Sequence, residues 1–199
     1  MLLHILLLAA IMLAAFVAMA GYNQLVRARH QVREAWSGIG VQLGRRASLI
    51  PNLVETVRGY AHHERQTFEH VIRARGALQA AGGAHDAANA NAALSYALGR
   101  LFAVVESYPQ LRASETFRQL QTELSDIEEK IAYARQFYNR TVFDYNTRVH
   151  TVPLVVIART FDFPPAEFFE ADAAATGEVR VRFDHAAAIA ERPAAPPAA

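Results

Sequence analysis

Residues 110–152 read QLRASETFRQLQTELSDIEEKIAYARQFYNRTVFDYNTRVHTV, a stretch with neither glycine nor proline. Within it Phe117, Leu124, Ile131, Tyr138 and Tyr145 recur every seven residues, with Leu120, Ile127, Ala134 and Thr141 as a companion row. Two rows at that spacing form the seam of a long helix packed on other helices. Ser114, just before Glu115, is placed to cap the helix, its hydroxyl accepting from one of the N–H groups that the first turn leaves unpaired. This one stretch predicts an all-α protein.

Working outward, Leu94, Leu98, Leu101, Val105 and Tyr108 mark a second helix over about residues 87–108, which Pro109 stops. Further upstream, from Tyr22 to Leu78, two seams run in parallel: Val32, Ile39, Leu53 and Tyr60 in one, and Trp36, Leu43, Ile50, Val57, Val71 and Leu78 in the other. Both keep their phase across Pro51. That continuity predicts a kinked helix or two nearly collinear ones there, with the first clear turn at QAAGGAHD, residues 79–86. Pro51 removes a backbone donor and frees carbonyls near Ala47, which neighbours or water must satisfy. Asn52 is placed to meet part of that need or to reach another helix.

Downstream, Pro153 interrupts the long helix, and LVVIARTFDF predicts a short helix ended by Pro164-Pro165. The alternating VRVRF at 179–183 suggests a brief extended segment, and the Pro/Ala-rich tail ERPAAPPAA reads as disordered. The expected architecture is an elongated antiparallel four-helix bundle of up-and-down type following an N-terminal transmembrane helix. Its expected parts are an anchor over 1–21, the bundle over 22–170, an extension over 171–185 and a tail over 186–199.

The anchor is MLLHILLLAAIMLAAFVAMA, residues 1–20, apolar except for His4, with the first full charge at Arg27. Its length, at about 1.5 Å per residue, matches a bilayer core of about 30 Å. Ala18-Met19-Ala20 before Gly21 also resembles a processing site, so a soluble periplasmic or secreted module cleaved after Ala20 is the rival reading. Against cleavage stand an n-region without Lys or Arg and an apolar run longer than an ordinary signal core. Arg27, Arg29, Arg33, Arg45 and Arg46 follow the span with only Glu34 opposing them, which favours a single-pass inner-membrane protein with a cytoplasmic C-terminal domain.

Composition narrows the function classes. Twenty basic against nineteen acidic residues leave a net charge of +1, no electrostatic footprint for nucleic acid. No cysteine is present, so disulfides, thiolate nucleophiles and cysteine-ligated metals are excluded. His62, His63, Glu64, Glu69 and His70 form the dense histidine cluster and define a metalloenzyme alternative. Yet no H-E-x-x-H places two imidazoles on one helix face, and no Glu precedes a His by three residues as di-iron bundles require. Nucleophile elbows and phosphate loops are missing as well. The aromatic stripe of Tyr133, Phe137, Tyr138, Phe143 and Tyr145 reads as bundle core. Arg46 and Glu64 occupy seam positions that call for apolar side chains, where a polar residue must be paired and can fix register. Asn139 and Asn146, seven apart, project from one face and are expected to hydrogen-bond a neighbouring helix or a partner.

Five long segments carry a family resemblance: YNQLVRAR (22–29), AWSGIGVQLGRRASLIPNLVETVRGYAHHE (35–64), VVESYPQLRASETFRQLQTEL (104–124), IAYARQFYNRTVFDYNTRV (131–149) and PLVVIARTFDFPPAEFF (153–169). Over about residues 22–183 the chain resembles the LemA family of bacterial membrane-associated proteins. The resemblance implies a single-span membrane protein with an antiparallel helical bundle, and no catalytic residues to carry over. A member found in magnetosome membranes implies a role in organising membranes or membrane complexes. The positions that match the family's recurring motifs are Trp36, Arg45, Arg46, Pro51, Asn52, Tyr60, Glu106, Tyr108, Pro109, Arg135, Tyr138, Asn139 and Asn146. Gly38, Gly40 and Gly44 depart from the pattern, replacing better helix formers and weakening the membrane-proximal segment. The combined expectation is a non-enzymatic, cofactor-free, membrane-anchored interaction or scaffold protein whose partners are other proteins or its own copies.

Overall fold

A computed structural model of the chain describes residues 1–172. Among these are six helices and no strand: α1 Leu2–Arg58, α2 Arg65–Ala80, α3 Ala84–Val105, α4 Pro109–Ala113, α5 Glu115–His150 and α6 Leu154–Thr160. The VRVRF segment and the Pro/Ala tail lie outside the described residues.

α1 and α5 form the spine. Arg46 of α1 meets Glu128 of α5, and Trp36 meets Tyr138. Moving toward the N-terminus on one helix thus moves the partner forward on the other, so the two are antiparallel. The seam predicted for α5 is the one that is buried: Phe117, Leu124, Ile131, Tyr138 and Tyr145 are all inside, with Leu120 and Ile127 beside them. On α1 the inward residues are Leu25, Val32, Ile39, Leu43, Ile50, Leu53 and Val57. α2 returns along the distal half of α1, α3 runs back up beside α2, and the one-turn α4 leads into α5. Four helices in up-down-up-down order make the all-α bundle that the periodicities predict.

The first reversal comes earlier than the heptads suggest. α1 ends at Arg58, Gly59 and Tyr60 make a turn, and α2 begins after Glu64. The expectation that 79–86 holds the first turn is therefore corrected. A seven-residue repeat cannot distinguish one helix from two when the intervening turn happens to preserve the phase. Gly59, a poor helix former just past the last turn of α1, was the local stop signal. At Pro51 the helix does continue, as expected, and it also passes Gly38, Gly40 and Gly44 without interruption.

A second correction concerns the aromatic stripe. Tyr138 and Tyr145 are core, but Tyr133, Phe137 and Phe143 are 74%, 55% and 62% exposed. They lie off the seven-residue row, and no helix among the described residues covers them.

In the proximal half α2 and α3 are absent, and the chain after α6 takes their place. Residues 163–172, without helix or strand, run back along α1 and α5 as a strap. Tyr22 stacks edge-on against Phe161 and Phe163 where the strap starts, and Phe169 lies against Trp36 further along. Phe163 and Phe169 are buried, so the strap supplies the apolar layer that a third helix would otherwise provide.

Candidate functional site

The polar side chains at the spine act in two places. The first is Arg46, which occupies a core position of α1 and is only 4% exposed. Its Nη1 donates to Asn91 Oδ1 and its Nη2 to Ser95 Oγ at 2.9 Å, both on α3. Nη2 also lies 2.9 Å from Glu128 Oε2 on α5, whose side chain is half exposed. The planar guanidinium presents donors in a fixed fork, which allows one residue to join three helices. Burial pushes its pKa below the ordinary arginine value, with the Glu128 carboxylate opposing that shift. Among the described residues its Nε has no partner.

The second is the strap, held by backbone-mimicking amides. Asn146 Nδ2 donates to the Ala166 carbonyl at 2.9 Å, and its Oδ1 accepts from the Ala166 N–H at 2.8 Å. Asn139 treats Phe169 the same way, at 3.3 and 2.8 Å. Asn89 on α3 accepts from the Asp172 N–H at 2.8 Å and donates to the Asp172 carboxylate at 3.1 Å. The spacing has a geometric cause. Seven helical residues rise about 10.5 Å, and three residues of extended chain cover about 9 to 10 Å. Two asparagines seven apart on α5 therefore match strap residues three apart. Beside these clamps Tyr145 donates its hydroxyl hydrogen to the Pro164 carbonyl at 2.9 Å, and Tyr138 to the Glu167 carbonyl at 2.8 Å. Burial raises both phenol pKa values; Glu167 adds to the rise at Tyr138, while Arg29 and Arg33 oppose it at Tyr145.

Two grooves flank the spine. One, between α3 and α5, is lined by Asn91, Ser95, Glu128, Arg135, Asn139 and Glu170. The other lies on the opposite flank, where Ala28, Ala35 and Gly38 of α1 face Tyr133, Ala134 and Phe137 of α5. Gln42 also lines it, and its Oε1 is buried without a partner among the described residues.

The thirteen motif positions thus fall into separate groups. Trp36, Tyr138, Asn139 and Asn146 converge on the strap, and Arg135 lies exposed at its far end. Arg46 ties the helices, whereas Arg45, Pro51 and Asn52 are exposed on α1. Asn52 does not reach another helix with its side chain; its carbonyl accepts from Thr56 Oγ1 at 2.8 Å. Tyr60, 45% exposed, sits in the α1–α2 turn, and Glu106, Tyr108 and Pro109 form the α3–α4 corner, where Pro109 opens α4. Sequence reasoning missed Asn89, Asn91 and Ser95. Asn91 and Ser95 lie four apart beside the Leu94–Leu98 row, and that polar pair was the available signal.

The histidine cluster does not assemble. His62 and His63 are exposed in the α1–α2 turn and His70 is exposed on α2. Among the described residues no three of His, Asp and Glu are placed to share a metal ion. Glu64 is half-buried at the start of α2, so the seam position it seemed to fill belongs to a turn.

Comparison with known proteins bears on the same residues. The model of the LemA family matches residues 35–183. Magnetosome protein MamQ of Magnetospirillum gryphiswaldense is 28% identical, over 74% of this chain and 64% of its own length. Magnetosome protein MamQ 2 of Paramagnetospirillum magneticum is 28% identical, over 78% of this chain and 68% of that protein. Protein LemA of Metamycoplasma hominis is 24% identical, over 78% of this chain and 72% of that protein. The chain thus spans about two thirds of the length of these relatives.

Proposed function

The chain belongs to the LemA family, and from that premise we propose that it is a single-pass membrane protein whose rigid bundle serves as an interaction scaffold, without a catalytic activity of its own. The observation that carries this reading is α1. One helix holds an apolar window of mean hydropathy 2.7, none of it buried, and continues unbroken into the core of the bundle. Residues 1–20, apolar but for His4 and all exposed, would be costly in water, since each large aliphatic side chain forgoes about 1.5 to 3 kcal/mol by staying wet. A bilayer removes that cost.

The scaffold half of the reading rests on the flank of α1 and α5 opposite the strap. Tyr133 and Phe137 stand exposed there above a floor of small α1 residues, an arrangement suited to an aromatic-anchored protein contact. The expected partners are other proteins or further copies of this chain. The arginines after the span favour an inner-membrane protein with the bundle in the cytoplasm.

Crosslinking in intact cells tests the reading. Photo-reactive groups at Tyr133 and Phe137 should trap discrete partners or oligomers that a group at exposed Thr122 does not. A chain that stays solitary from both positions would overturn the scaffold role. Sequencing the mature N-terminus decides the anchor: Met1 or Leu2 supports it, and Gly21 replaces it with the cleaved periplasmic form.

A further inference from the structure

The end of the bundle nearest the span is built from α6 and its two flanking turns. Gly21 is buried because α6 lies directly on it. A Cβ there would collide with Ile157 Cδ1 and stand 2.9 Å from Leu154 Cδ2. The antiparallel register that pairs Trp36 with Tyr138 brings the last turn of α5, ending at His150, level with the first turn of α1 after Gly21. Residues 151–161 are therefore the part of the domain closest to the apolar segment.

That position fixes what surrounds them once residues 1–20 cross a bilayer. Twenty helical residues rise about 30 Å, which uses up the hydrocarbon core. The polar layer adds about 5 to 8 Å on each side. Gly21, and α6 packed beside it, fall within that layer.

The side chains there suit it. Val152 is 78% exposed, Val156 65% and Phe161 55%, the last keeping that exposure with its ring edge-on to Tyr22. Arg27, Arg148 and Arg159 stand on the same end of the molecule, and Asp162 is the acid among residues 21–28 and 148–162. Apolar residues interspersed with arginines are the composition of a surface that rests at the headgroup boundary.

We propose that the α6 corner is a second membrane contact, with Val152, Val156 and Phe161 inserted at the lipid surface and the neighbouring arginines against anionic headgroups. The inference rests on residues 1–20 spanning the bilayer. α1 is continuous through Gly21, so this second contact would hold the bundle at a fixed tilt.

The absence of native cysteine makes the test direct. Full-length variants Leu13→Cys, Thr122→Cys, Val152→Cys, Val156→Cys and Phe161→Cys each carry one environment-sensitive fluorophore. They are reconstituted in vesicles of phosphatidylcholine and phosphatidylglycerol that contain a lipid-borne quencher. Labels at 13, 152, 156 and 161 should lose fluorescence, and the label at 122 should not. Quenching at 13, with 152, 156 and 161 behaving like 122, would overturn the inference and leave the anchor standing. An unquenched label at 13 would instead remove the anchor itself. All five positions are exposed, and of the five only Phe161→Cys gives up a ring contact, the one with Tyr22.

Discussion

Arg75 of α2 donates through Nε to the backbone carbonyl of Ala47 on α1 at 2.9 Å. Ala47 lies four residues before Pro51, which has no N–H to return. The proline leaves a carbonyl unpaired on the face where α2 packs, and a side chain from that helix takes the place of the missing donor. Pro51 therefore marks a helix–helix contact within an uninterrupted helix.

This relationship is testable as a double-mutant cycle. Arg75→Leu alone should destabilise the protein by about 1 to 2 kcal/mol, the usual cost of a lost hydrogen bond that strands a partly buried acceptor. In a Pro51→Ala background the introduced alanine brings an N–H that can bond the Ala47 carbonyl, so the same Arg75→Leu change should cost markedly less. Urea unfolding of the four proteins measures the coupling. Equal costs in both backgrounds would show that Arg75 does not compensate for the proline.

The strap makes a second prediction. Asn146→Ala deprives the Ala166 N–H and carbonyl of their partners at one stroke, and Asn139→Ala does so for Phe169. Each should cost about 1 to 3 kcal/mol. Amide hydrogen exchange gives the specific readout: in the parent the Ala166 and Phe169 amides should be protected, and each variant should speed exchange most at its own clamp. Asn146→Asp keeps the acceptor but sets a carboxylate against a carbonyl, so it should not restore the parent.

The two tyrosines tie strap docking to alkaline pH. Both phenols are raised above the ordinary value of 10.0 in the folded state. Below that value the folded and unfolded chains both keep the proton. As pH rises past it the unfolded chain loses protons that the folded one retains, so the stability conferred by these phenols falls. Unfolding midpoints from about pH 8 to about pH 11 should therefore decline. The decline should be shallower in a Tyr138→Phe, Tyr145→Phe double variant. An identical slope in the two proteins would exclude the phenols as its source.

Arg46 offers an asymmetry. Arg46→Ala leaves Asn91, Ser95 and Glu128 without their common donor and should cost about 2 to 4 kcal/mol. Glu128→Ala removes a half-exposed partner that water readily replaces, and it should cost about 1 kcal/mol or less. Arg46→Lys should not rescue, since a single ammonium cannot present the fork that reaches α3 and α5 together. Thermal or urea unfolding ranks the three, and equal losses for Arg46→Ala and Glu128→Ala would contradict the central role of the guanidinium.

How much of this was legible beforehand depends on the kind of interaction. Apolar spacing made α5 and its buried row readable, because burial on a helix follows a fixed period. The same period hid the turn at Gly59, since Val57 and Val71 kept their phase across it. Arg46 could be singled out as a charge in an apolar row, but Asn91 and Ser95 come from another helix and follow no shared spacing with it. The strap was least visible. Asn139 and Asn146 bind backbone atoms of Phe169 and Ala166, and backbone atoms leave no mark on residue identity. Tyr133 and Phe137 read as core in the sequence for the opposite reason: composition records that a residue is aromatic, whereas its angle around the helix decides whether anything covers it.

The contact at Gly21 gives the last prediction. Glycine in a helix is weaker than alanine by about 1 kcal/mol, so Gly21→Ala would ordinarily be stabilising. Here the added methyl meets Ile157 Cδ1, and α6 must shift or Ile157 change rotamer, at a cost of about 1 to 3 kcal/mol. Ile157→Val deletes that same carbon. The single Gly21→Ala variant should loosen α6, seen as faster proteolysis at Phe161 in the full-length protein, and adding Ile157→Val should return cleavage toward the parent rate. Rescue of that kind requires the two side chains to meet, since two independent defects would add. Cleavage in the double variant as fast as in Gly21→Ala alone would mean that α6 is not seated on the start of the bundle.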